Sequence, residues 1–139
     1  MNREELKNIM PHREPMLLVD EVTLSKEGVA YGKYTVKGSE WFLQGHYPGK
    51  PIVPGVIHCE MLAQTCCILF GEIINGRTPL FVGLDNIRFR NIVVPGDALE
   101  FECCIIKTKD PFYFASGKGF VNGKLCVSGD LSFALMKGE

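Results

Sequence analysis

His46 and Glu60 stand fourteen residues apart in the stretch from Gly45 to Gln64, GHYPGKPIVPGVIHCEMLAQ, and form a candidate acid/base couple. An imidazole titrates near neutral pH and can accept a proton, while a carboxyl among apolar neighbours can stay protonated and give one up. His46 precedes Pro48, Gly49, Pro51, Pro54 and Gly55, which resist a continuous helix or strand, so it is expected on a loop. A helix is expected to begin at Gly55 and Val56. From there Ile57, Cys59, Met61, Leu62, Ala63, Cys66, Cys67, Ile68, Leu69 and Phe70 leave almost no polar face, the pattern of a helix buried on all sides. Glu60 interrupts that pattern. An unpartnered carboxylate there is costly, so proteins keep such groups for chemistry more often than for stability. Gln64 follows four residues on, on the same helical face, where its amide can orient the carboxyl. The backbone N–H groups of Gly55 and Val56, at the positive end of the helix dipole, can receive a developing oxyanion.

The flanking sequence supplies the elements that must position this couple. Residues 2–10 predict a short helix with Leu6, Ile9 and Met10 inward, stopped by Pro11. Met16 to Val22 and Gly28 to Lys37 predict strands. Beyond the long helix and the turn at Asn75-Gly76, Leu80 to Arg90 predicts a strand with Phe81, Gly83, Asp85, Ile87 and Phe89 on one face. Leu99 to Thr108 and Phe112 to Val121 follow, and Asn122-Gly123 is a strong hairpin signal leading into a last strand through Leu125 and Leu135. One apolar helix among five or six antiparallel strands gives an α+β layout in which the sheet wraps the helix, the hot-dog fold. Residues 1–139 are expected to form one such domain. A single unit covers only one side of its own loop-and-helix site, which predicts at least a two-fold dimer.

Composition narrows the classes of function. A hydrophobic fraction of 46% with 22% charged residues is ordinary for a globular protein, and a formal net charge of −1 offers no global attraction to nucleic acid. The longest apolar run is broken by Glu60 and Gln64, so no membrane span is expected. The charged opening Asn2–Lys7 lacks a secretory signal's apolar core, and a cytoplasmic location is expected. Cys59, Cys66, Cys67, Cys103, Cys104 and Cys126 form no CxxC and are expected to be reduced, buried hydrophobes. No spacing of histidines and cysteines suggests a metal site, and no cofactor is called for. His12 and His58 are expected to be surface or capping residues, His12 holding the loop around Arg13. Arg88 and Arg90 alternate with Phe89, and Lys107 and Lys109 repeat the pattern. An acidic protein partner would need such a basic patch.

GHYPGKPIVPG followed by Glu60 and Ala63-Gln64 resembles the active-site signature of the (3R)-hydroxyacyl-[acyl carrier protein] dehydratases of the FabZ type. Pro11-His12-Arg13, Leu17-Leu18-Val19-Asp20, Arg88-Phe89 and Val94-Pro95-Gly96-Asp97 resemble further landmarks in the same order, so the likeness spans nearly the whole chain. The resemblance implies a lyase of type II fatty acid synthesis without cofactor, with His46 and Glu60 as the catalytic pair, completed across a dimer interface. It also implies acyl carrier protein as the partner presenting the substrate, and a trimer of dimers. The FabA type carries aspartate where this chain has Glu60, which favours FabZ. The chain departs from the pattern at His58 and Cys59, where aliphatic residues are expected, and at Glu14, where an aromatic is common. A hot-dog thioesterase and a non-enzymatic acyl-binding module are the alternatives.

Overall fold

The computed structural model describes residues 1–137. Its elements are helix α1 (Arg3–Leu6), strands β1 (Glu21–Leu24) and β2 (Val29–Thr35), helix α2 (Gly55–Cys66), and strands β3 (Arg77–Phe89), β4 (Ala98–Lys109), β5 (Phe112–Val121) and β6 (Lys124–Lys137). The strands form one antiparallel sheet in the order β1-β2-β4-β5-β6-β3, curled around α2. This is the expected α+β hot-dog arrangement. β1 and β3 are its edges.

Sheet and helix meet where glycine replaces a side chain. A Cβ on Gly32 of β2 would collide with the Thr65 hydroxyl, and one on Gly117 of β5 would come within 3.1 Å of Leu62. Met61, Leu62, Thr65 and Cys66 thus pack on the concave face with almost no exposure. The six cysteines are free and, except for the half-buried Cys104, buried. Burial pushes the Cys67 thiol up to about 12, which keeps it a neutral packing group. Asn122 and Gly123 both take positive φ, 50° and 77°, the conformation a two-residue hairpin between right-twisted strands requires.

Four local expectations are corrected. The N-terminal helix ends at Leu6, although Leu6 and Met10 are both buried as expected. Met16 to Asp20 is not a strand, because side chains occupy the groups a ladder would use. Leu18 N–H donates to Gln64 Oε1 at 2.7 Å, while the Leu17 and Val19 carbonyls accept from the Arg3 guanidinium at 2.7 and 3.1 Å. The long helix runs as α-helix only to Cys66 and continues as 3-10 turns from Cys67 to Ile74, broken at Gly71, whose φ is 56°. In β3 the single-face alternation fails, since the register with β6 shifts between Phe81 and Gly83 and again between Asp85 and Arg88. Together Gly55–Ile74 is apolar and long enough by composition to cross a bilayer, yet most of it is buried against the sheet as a core helix.

Candidate active site

His46 lies on the loop between the 3-10 turn Trp41–Leu43 and α2. The loop is pinned at both sides of the imidazole. His46 N–H donates to Leu43 O at 3.1 Å, and Ile52 N–H donates to His46 O at 2.9 Å. The ring itself bonds through Nδ1 to the Ile52 carbonyl at 2.9 Å and stacks on Tyr47, with centroids 4.3 Å apart. A carbonyl can only accept, so Nδ1 carries the proton and Nε2 keeps its lone pair. That lone pair is what a general base needs.

The imidazole borders a cavity of about 530 Å³ whose wall includes Ile52, Gly55, Val56, His58 and Phe89. Pro54 caps α2 without a side-chain acceptor, so although Ile57 N–H donates to Pro54 O at 3.0 Å, no side-chain cap takes up the N–H groups of Gly55 and Val56. Val56 is 73% exposed on a helix otherwise largely buried. A Cβ on Gly55 would meet the Phe89 ring at 2.8 Å, so the glycine is what lets Phe89 lie across the helix start.

Glu60 faces a different cavity, of about 30 Å³, bounded by His12, Ala63, Cys67, Pro79, Phe81 and Phe133. None of these borders the His46 cavity. Within one chain the two expected partners therefore face separate cavities. Gln64, 1% exposed, holds the carboxyl. Its Oε1 accepts from Leu18 N–H and its Nε2 donates to Met16 O at 2.7 Å, so the amide cannot flip and must present its other N–H to Glu60 Oε2, at 2.8 Å.

His12 is a residue that sequence reasoning missed. It was expected to support the Arg13 loop, but Arg13 reaches the Met10, His12 and Lys7 carbonyls itself, and His12 Nε2 lies 3.5 Å from Glu60 Oε2. The contact spans forty-eight residues of sequence, and no local signal announces it. His58 is likewise not a surface group but 3% exposed, edge-on to Phe89. The four basic residues form no single patch within the chain. Arg90 borders the His46 cavity and Arg88 lies near the end of β3, whereas Lys107 sits over Phe114 and Lys109 ends β4. β6 and β5 intervene, three strand spacings or roughly 14 Å across the sheet. Among the described residues no group of three His, Cys, Asp or Glu side chains could hold a metal ion.

Residues 10–130 match the family model described as a FabA-like domain. The chain belongs to the FabA-like family. It is 45% identical over 140 residues to the 3-hydroxyacyl-[acyl-carrier-protein] dehydratase FabZ of Clostridium beijerinckii, covering 97% of this chain and 99% of that one. A protein of the same name from Moorella thermoacetica is 42% identical over 138 residues, covering 97% and 96%. The FabZ-type resemblance read from the motifs therefore holds along nearly the whole length. Among solved structures, the dehydratase heterocomplex ApeI:P from Xenorhabdus doucetiae superposes with a TM-score of 0.78 over 94% of this chain and 90% of that one. At 19% identity that match shows the shared fold.

Proposed function

We propose that this protein is a lyase that dehydrates (3R)-3-hydroxyacyl chains on acyl carrier protein to trans-2-enoyl chains, with His46 of one copy and Glu60 of a second as base and acid. The observation that supports this reading is that His46 and Glu60 of one chain face two separate cavities, with β3 an unpaired edge of the sheet. β3 is thirteen residues long, and Leu80, Phe81, Val82, Leu84 and Phe89 along it are about half exposed. A long apolar edge strand is a template for pairing with another chain. Pairing two copies along β3 brings the strand end that borders the His46 cavity towards the Phe81 end that borders Glu60 of the second copy. The dimer is read as the unit of a trimer of dimers in the cytoplasm.

The chemistry follows from atoms already placed. His46 Nε2 accepts the proton from C2, and the electron pair of that C–H bond delocalises onto the thioester oxygen, held by the N–H groups of Gly55 and Val56. The pair then forms the C2–C3 double bond as the C3–O bond breaks. Glu60 gives its proton to the departing oxygen, so water leaves rather than hydroxide. With Oε2 engaged by Gln64, Oε1 is the oxygen free to carry that proton. The imidazolium then returns its proton to the carboxylate, directly or through water, and both groups are reset. No metal or cofactor takes part in these steps.

Incubating the purified protein with a 3-hydroxyacyl carrier-protein thioester should produce enoyl absorbance without free thiol. Thiol release without enoyl product would replace this reading with a thioesterase.

A further inference from the structure

His58 combines deep burial with an absence of bonding. Neither Nδ1 nor Nε2 has a hydrogen-bond partner among the described residues, and the ring meets Phe89 edge-on at 6.1 Å. Its helix neighbours Ile57, Met61 and Leu62 are apolar and buried, so a leucine here would fill the space without leaving polar atoms unsatisfied. Burial pushes the imidazole down to about 4, which leaves it neutral at physiological pH with one donor and one acceptor. This ring forms part of the wall of the same cavity as His46, Gly55 and Phe89. It lies one helical turn inward from Gly55, on the same face. Tyr47 and Val56 at the rim are exposed. A thiol arm that leaves past these exposed residues would direct the acyl chain towards His58.

We propose that His58 is a specificity-determining residue that hydrogen-bonds an oxygen substituent on the acyl chain, so that the protein favours oxygenated 3-hydroxyacyl thioesters over plain ones. This rests on the dehydration reading at His46. A buried group lacking only its partner discriminates strongly between a ligand that supplies the bond and one that does not.

The test uses the full-length protein, wild type and the variants His58→Leu and His58→Gln, with pantetheine thioesters of 3-hydroxyoctanoate and of a series bearing one further hydroxyl at successive carbons beyond C4. The readout is kcat/KM for enoyl formation. For at least one hydroxylated member the wild type should exceed the plain chain by about tenfold. His58→Leu should reduce that ratio to about one, and His58→Gln, which keeps a donor and an acceptor, should preserve most of it. A wild-type ratio at or below one for every member overturns the inference, whatever the variants do. So does a ratio that survives His58→Leu, or a His58→Leu variant that changes subunit dissociation and leaves the ratio untouched. Absence of enoyl product from every thioester would instead overturn the dehydration reading, and this inference with it.

Discussion

Gln64 Oε1 takes the Leu18 N–H, and that bond decides what Glu60 meets. Because Met16 O needs a donor as well, the amide has one orientation and one remaining N–H to offer the carboxyl. Gln64→Leu should therefore act on fold and catalysis together. Stranding the Leu18 N–H and Met16 carbonyl in the interior costs about 2 to 4 kcal/mol, read as a lower urea midpoint. His46→Ala and Glu60→Gln remove reacting groups and no core packing. Each should lower kcat about a hundredfold or more with an unchanged circular dichroism spectrum, and near-normal turnover in either would remove that residue from the mechanism. His58 carries a separate pH signature. Its pKa falls from 6.5 unfolded to about 4 folded, so the unfolded chain binds the extra proton first as pH drops. Stability is full above about 6.5 and declines towards 4, by about 3 kcal/mol in all. Denaturant titrations across that window should show His58→Leu with a shallower decline than wild type. At this scale the sequence was informative about chemistry and silent about partners. The residue types and spacing of His46, Glu60 and Gln64 were legible because one loop and one helix carry them. The Glu60–His12 contact and the Gln64 bonds to Leu18 and Met16 were not, since they join segments almost fifty residues apart.

The elements show where short-range pattern stops being sufficient. α2 begins at Gly55 as the loop's prolines and glycine dictate, and β5 runs from Phe112 to Val121, where its aromatic residues and the Asn122-Gly123 turn place it. β3 is different. Its alternation reads as one continuous face, but the two register shifts that break it depend on β6, which the sequence of β3 cannot reveal. Gly129 of β6 sits at the second shift, and a Cβ there would collide with the Ile87 side chain and come within 3.0 Å of its Cα. Backbone cannot rotate away as a side-chain tip can. Gly129→Ala should destabilise the protein by about 1 to 3 kcal/mol through displacement of β3. Gly55→Ala meets only the outer atoms of Phe89, a half-exposed ring that can swing aside. It should leave thermal stability nearly unchanged while lowering kcat/KM, because the ring is displaced into the His46 cavity. Equal losses of stability in the two variants would contradict this distinction between backbone and side-chain obstacles.

At the scale of the whole molecule, the overall α+β wrap was legible because α2 has no polar face to leave uncovered, and only a curled sheet covers such a helix. What residue types and spacing do not display, and only the family resemblance implies, is that His46 and Glu60 of one chain face separate cavities. If two chains complete each other, inactive variants should rescue one another. A dimer of one His46→Ala and one Glu60→Gln subunit has one site lacking both groups and one site with both intact. Equal amounts of the two variants, unfolded together and refolded, give half mixed dimers at random, each with half its sites working. The mixture should recover about a quarter of wild-type specific activity, although each variant alone has almost none. Mixing without exchange of subunits supplies the control. Recovery confined to the refolded sample assigns the proton acceptor and donor to different chains. No recovery, with mixed dimers demonstrated by mass, would place both groups of each working site in a single chain and break the link between the β3 edge and catalysis.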